Sequence, residues 1–198
     1  MINIINHSQE KPYLLFNEKY DEALHAQQEN IEAIAISSFN REKNEVDSRF
    51  VNLKFIDNNE FIFFSNYNSP KSLAFSSFDQ ISGLFFWSST NVQIRIKAKL
   101  NRTNIKFNQN YFKNRSPKKN AISISSRQSE FISSYERVVI NFNEVYKNNN
   151  LLECPSYWGG FSFIPYYFEF WDGHTSRINR REVFKKIDGL WESSFLQP

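Results

Sequence analysis

The chain reads as mainly β with helices, an α+β protein built round a small antiparallel barrel. Three observations carry that reading. From Val92 to Leu100 apolar and polar residues alternate strictly, with Val92, Ile94, Ile96, Ala98 and Leu100 on one side and Gln93, Arg95, Lys97 and Lys99 on the other. That is the period of a strand with one buried face. Asp57-Asn58-Asn59 separates two apolar runs, residues 49–56 and 60–66, as the turn of a hairpin. Aromatic residues make up 17% of the chain, 21 of them Phe, and rings suit a pleated, half-buried surface.

Residues 1–15 are expected to be a flexible polar lead-in, followed by one domain over 16–198. Phe16 to Gln28 places Phe16, Tyr20, Ala23 and Leu24 at helical spacing. A strand through Ala33 to Ser38, a polar break around Asn40 to Asp47 and the hairpin come next. Leu84 to Trp87 is a further apolar run ahead of the alternating strand. Two helices are expected, near Asn104 to Asn114 and near Gln128 to Lys147; the second carries Phe131, Tyr135, Val138, Phe142 and Val145 close to one stripe. The closing third returns to strand, with Trp158-Gly159-Gly160 and Asp172-Gly173 as glycine-marked turns and Trp158 as a packing residue. Arg177, Asn179 and Arg181, two apart on an expected strand, share a face. Arg49 and Lys54, five apart, point to opposite faces unless a bulge intervenes.

Composition narrows the function classes. A net charge of only +3, with cations spread along 198 residues, argues against a dedicated nucleic-acid surface. The single Cys154 forms no internal disulfide, and neither a secretory leader nor a long apolar stretch opens the sequence, so a reducing cytoplasm is expected and no membrane span. His7, His25 and His174 are scattered. Metal-ligand spacings, a glycine-rich phosphate loop and a dinucleotide fingerprint are all missing, so no metal is expected. What remains is a set of arginines, lysines and hydroxyls beside aromatics, the chemistry that holds a planar, phosphorylated cofactor and lets the cofactor react.

The C-terminal run Pro155-Ser-Tyr-Trp-Gly-Gly-Phe161, then Glu169-Phe-Trp-Asp-Gly173, then Arg177-Ile-Asn-Arg-Arg181 resembles the signature of the pyridoxamine/pyridoxine 5'-phosphate oxidases. Arg49-Phe-Val-Asn-Leu-Lys54, Phe63-Phe-Ser-Asn-Tyr-Asn-Ser-Pro-Lys71, Val92-Gln-Ile-Arg-Ile96, Tyr111-Phe-Lys-Asn-Arg115 and Gln128-Ser129 are similar to further segments of that family, in the same order from about residue 16 to 198. The resemblance implies an FMN-binding split antiparallel β-barrel, a homodimer with FMN at its interface, and no nucleic-acid or membrane partner. It implies oxidation of pyridoxamine or pyridoxine 5'-phosphate to pyridoxal 5'-phosphate, with dioxygen reoxidising the flavin to give hydrogen peroxide. Alternatives are a related FMN flavoprotein with another substrate, for example phenazine-type, and a non-catalytic flavin or pyridoxal-phosphate binding protein.

Position by position, the resemblance puts Arg49, Lys54, Phe64, Ser65, Lys71, Gln93, Gln128, Ser129, Trp171 and Arg181 round the FMN. Lys54, Tyr111, Arg115 and Lys119 fall to the substrate phosphate, and Arg177 and Asn179 to the substrate ring as catalytic positions. Four positions depart from the family pattern. Pro70 and Val92 stand where it has arginines, which implies weaker FMN retention; Lys119 stands for a serine and Asn179 for a histidine. An amide hydrogen-bonds but carries no proton near neutral pH, so reduced activity is expected, and restoring histidine at 179 is expected to raise turnover.

Overall fold

One sheet contains nine strands: β1 (Asn3–Ile5), β2 (Ala33–Asn40), β3 (Glu45–Asp57), β4 (Glu60–Asn66), β5 (Gln80–Trp87), β6 (Val92–Arg102), β7 (Trp158–Asp172), β8 (Arg180–Ile187) and β9 (Leu190–Leu196). In this computed structural model, which describes residues 1–198, β3–β2–β5–β6–β7–β4 pair antiparallel in that order and β4 returns to β3, closing a six-stranded barrel. Closure removes the free edges of those strands. β1 adds to β3 in parallel, and β8 and β9 extend from the second half of β7. The fold is the split antiparallel barrel with helices that the sequence predicts.

Period-two alternation is the reason these segments close on themselves. On β6 Val92, Ile94, Ile96, Ala98 and Leu100 fill the barrel while the intervening polar residues face out. On β5 Ile81, Phe85 and Trp87 are buried and Leu84 and Phe86 are exposed, so the short apolar run is the second half of a longer strand masked by Ser82 and Gly83. The hairpin turns as expected, with Asp57 opposite Glu60 and Asn58 at φ 53°, a left-handed conformation that Asn tolerates.

α1 (Lys11–His25) starts a full turn earlier than periodicity suggests, with Pro12 in its first turn. Tyr13, Phe16, Tyr20 and Ala23 are buried, whereas Leu24 is exposed. Phe16 meets Phe61 and Phe85 edge-on at 5.2 and 5.5 Å, joining the helix to the barrel core. Residues expected to be a lead-in form β1, and the Ile2 amide donates to Tyr20 Oη at 2.9 Å. Their burial is a tertiary contact that carries no local period.

Two short helices, α2 (Pro70–Ser77) and α4 (Pro117–Ser125), lie where none was expected. Each has proline in its first turn, where a missing N–H costs nothing. α3 (Ile105–Lys113) matches expectation, and Asn104 Oδ1 accepts from the Phe107 amide. α5 (Tyr135–Asn148) is shorter than the expected helix, because Ser134 caps it and Ser129 sits at φ 70° before it. Gln128 and Ser129 are therefore loop residues, and no residue of α5 is buried. No helix is long and apolar enough to cross a membrane.

Gly159 and Gly160 are not a turn; they lie inside β7 opposite Ser65 and Phe64. A Cβ at Gly159 would stand 2.1 Å from Tyr67 Oη and 2.5 Å from Asn108 Nδ2. Glycine is needed there for close approach, since Asn108 Oδ1 accepts from the Gly160 amide at 2.9 Å and pins α3 to the strand.

Candidate cofactor and substrate site

A cavity of about 590 Å³ opens between β3, β4, the start of α2 and the α3–α4 region. Arg49, Lys54, Phe64, Ser65, Lys71, Tyr111, Arg115, Lys119, Gln128 and Ser129 all line it. Sequence separation between 49 and 129 is thus brought to one place by the strand pairing. A β-bulge explains how Arg49 and Lys54 share it: Leu53 pairs with Phe63 and Phe55 with Ile62, leaving Lys54 as the extra residue. The bulge resolves the parity that five-residue spacing would otherwise break.

The cavity is cationic. Arg49, Lys54, Lys71, Arg115 and Lys119 face it against Asp47 as the only carboxylate in its wall. Arg49 Nη2 donates to Asp47 Oδ2 at 2.7 Å, and Lys54 Nζ lies 3.5 Å from Glu32. The hydrogen bond from Arg49 holds the Asp47 carboxyl below its usual range. Lys71 sits in the first turn of α2, 8% exposed, with no carboxylate within 4.0 Å. Burial, then the neighbouring Arg49 charge, pulls its pKa down to about 8, with Asp47 opposing. A buried cation without a counter-ion is costly unless an anion arrives.

The wall beside these cations is flat. Phe64 and Tyr111 stack at 3.9 Å and 17°, and Phe64 and Trp158 at 5.1 Å and 9°. The Arg115 guanidinium lies 4.4 Å from the centre of the Trp158 ring and donates from Nη1 to Ser123 Oγ. Burial raises the Tyr111 pKa, with the Arg115 charge opposing. Ser65 Oγ donates to Gln128 Oε1 at 3.4 Å, tying the loop to β4. Trp158, expected to serve packing alone, lines the cavity, as do Asp47 and Asn52. Asp47 falls in the expected polar break, but β3 already runs from Glu45, so residue 47 shares a strand face with residue 49. Nothing local marked Trp158.

Gln93, Trp171, Arg181, Arg177 and Asn179 do not line this cavity. Gln93 pairs with Trp171 and Trp171 with Arg181 across β6, β7 and β8, a row on the outward face. Phe86, 56% exposed, continues the row on β5 opposite Gln93. Arg181 is engaged: Nε and Nη2 donate to Glu169 Oε1 at 3.0 and 2.8 Å, and Nη1 to the Gln197 carbonyl. The expected strand through Arg177, Asn179 and Arg181 is corrected. β8 begins at Arg180, and Arg177, at φ 60°, lies in the β7–β8 loop. The loop closes on itself: the His174 amide donates to Asn179 Oδ1 at 2.9 Å, and the Arg177 amide donates to the His174 carbonyl at 2.9 Å.

The residues present suit a flat, phosphorylated cofactor: an unpaired buried lysine, an anchored arginine and polar side chains beside an aromatic wall. Comparison with known proteins points the same way. Residues 158–198 match the family model described as "Pyridoxine 5'-phosphate oxidase C-terminal dimerisation region". The pyridoxine/pyridoxamine 5'-phosphate oxidase of Vesicomyosocius okutanii subsp. Calyptogena okutanii is 31% identical over 189 residues, covering 94% of this chain and 88% of the relative. The chloroplastic pyridoxine/pyridoxamine 5'-phosphate oxidase 1 of Arabidopsis thaliana is 33% identical over 89% of this chain, which spans only 34% of that longer protein. Among solved structures, PhzG from Burkholderia lata 383, in complex with tetrahydrophenazine-1-carboxylic acid, superposes with a TM-score of 0.90 at 24% identity, covering 96% of this chain and 93% of that one. A pyridoxamine 5'-phosphate oxidase-related, FMN binding protein from Nostoc punctiforme gives a TM-score of 0.77 at 11% identity, covering 92% of this chain and 97% of its own. At such identities the two structures speak to the fold. Near-full-length likeness to the bacterial oxidase speaks to the family: the chain belongs to the pyridoxine/pyridoxamine 5'-phosphate oxidases.

Proposed function

We propose that the protein is an FMN-dependent oxidase that converts pyridoxamine 5'-phosphate or pyridoxine 5'-phosphate to pyridoxal 5'-phosphate, with dioxygen as acceptor and hydrogen peroxide as product. The observation that carries this is the cavity charge, five cations against Asp47, beside near-parallel rings. A phosphate monoester bears roughly 1.5 to 2 negative charges near neutrality. Two of them, one on the cofactor and one on the substrate, suit this set better than one.

FMN, when bound, would supply the redox chemistry, a two-electron oxidation of the substrate with dioxygen as the final acceptor. Lys71 and Arg49 hold the cofactor phosphate by charge-assisted hydrogen bonds, and Ser65, Gln128 and Ser129 meet its polar edges. Lys54, Tyr111, Arg115 and Lys119 hold the substrate phosphate. Phe64 covers one wall and excludes water. Arg177 and Asn179 orient the substrate ring, with Asn179 able to hydrogen-bond but not to carry a proton.

The row Gln93, Trp171 and Arg181 reaches the flavin from a second copy of the chain, making the active unit a homodimer. Support comes from the matched dimerisation region and from Phe86, whose exposed ring lies in the same row. A reducing, cytoplasmic setting accords with the unpaired Cys154. A related flavoprotein acting on another aromatic substrate is the second reading, favoured by Lys119 and Asn179, the substrate-facing departures. Purified protein should be yellow and should release peroxide with either B6 phosphate. Yellow protein that gives no peroxide with both would move the assignment to the second reading, and protein that takes up no FMN would remove both.

A further inference from the structure

Arg49 is held from two directions. Its Nη1 donates to Ser38 Oγ at 2.8 Å and to the Ile36 carbonyl at 3.3 Å, neutral acceptors on β2. Its Nη2 goes to Asp47, which lines the same cavity. The Arg49 side chain is 19% exposed and that of Asp47 70%. The guanidinium is thus anchored, while the carboxylate is free to swing into water. Lys71 reaches this cavity buried and without a carboxylate partner, and the adjoining Pro70 adds neither charge nor N–H.

We propose that Asp47 is an internal rival for the anion that Arg49 and Lys71 receive, so that a phosphate monoester binds only by taking Arg49 from Asp47. Its consequence is specificity: Asp47 sets how strongly the cavity prefers a phosphorylated ligand over the same ligand without phosphate. A carboxylate in the wall repels a dianion and leaves a neutral molecule untouched. Because Asp47 is mostly exposed, its hold on Arg49 is weak enough to be exchanged. For the cofactor the inference rests on the flavin reading; for the anion site it rests on the cavity alone.

The test is Asp47→Asn, titrated in the full-length flavin-free protein with FMN and with riboflavin by quenching of flavin fluorescence. FMN should bind roughly three- to tenfold tighter than to wild type, riboflavin should be unchanged, and the FMN gain should shrink at high salt. In an Arg49→Gln background most of the gain should vanish. Unchanged or weaker FMN binding would overturn the proposal, because Asp47 would then merely orient Arg49; an equal gain for riboflavin would overturn it too. If wild type takes up neither flavin, the flavin reading fails, and inorganic phosphate decides the present proposal by thermal shift. A larger stabilisation of Asp47→Asn than of wild type upholds it, and an equal one sinks it.

Discussion

Arg181 makes a two-pronged contact with Glu169, Nε and Nη2 both donating to Oε1 at 3.0 and 2.8 Å across β7 and β8. Glu169 is 1% exposed, and its Oε2 accepts from Arg95 and from Tyr167 Oη at 2.9 and 2.8 Å. One carboxylate therefore gathers three side chains on the outward face of the sheet and fixes the guanidinium beside Trp171.

Removing that carboxylate strands two arginines. Glu169→Ala should destabilise the protein by about 1.5 to 3 kcal/mol in denaturant unfolding, the range for hydrogen bonds to charged groups, because the two arginines left behind are partly exposed to water. Burial raises the Glu169 pKa, but hydrogen bonds from Arg181 and Tyr167 and the two arginine charges outweigh it, and the net shift is down. A lowered carboxyl pKa adds stability above the unfolded value of about 4.3. That share should be lost as pH falls through the folded pKa, and Glu169→Gln should show a flatter acid limb.

Lys71 should behave in the opposite sense. Its pKa is lowered to about 8, so the charged form is disfavoured by folding and flavin-free stability should rise as pH climbs from about 8 toward the unfolded value of about 10.4. FMN affinity should fall over the same window as the ammonium is lost. Lys71→Met should raise the melting temperature of the flavin-free protein while weakening FMN binding at least tenfold, on the order expected for a charge-assisted contact. A variant that lost both stability and affinity would contradict this account.

Subunit mixing tests the shared site. If Trp171 completes the partner's cavity, Lys71→Met and Trp171→Ala homodimers are both defective, but each mixed dimer regains one intact site. Random reassociation of equal amounts should restore about a quarter of wild-type flavin sites, since half of the dimers are mixed and each holds one good site of two. No recovery would place both residues in one subunit's site.

Asn179→His should raise turnover with pyridoxine 5'-phosphate several-fold, because an imidazole can carry a proton near neutrality. The substituted ring can also accept from the His174 amide, keeping the loop closed. A flat response would remove the role given to position 179.

Gly159→Ala should cost about 1 to 3 kcal/mol by overpacking, because its Cβ would collide with Tyr67 and Asn108. Far-ultraviolet circular dichroism with denaturant would read the loss, and Gly189→Ala is the comparison, since no atom lies within 4 Å there but φ is +84°.

What the sequence by itself determined is what repeats locally or rests on one turn: the alternation of β6, the Asn58 hairpin, the helix near Asn104 to Asn114 and the cationic, aromatic character of the site. Period and turn chemistry are short-range physics, and they survived folding unchanged. The tertiary structure decided how these residues meet. A bulge at Lys54 turned it into the cavity that Arg49 lines, strand closure carried Trp158 into the cavity wall, and Arg177 and Asn179 lie in a loop closed by the His174 amide on Asn179 Oδ1. Such outcomes depend on packing between segments far apart in the chain, where a single extra residue or close approach reverses the side to which a side chain points.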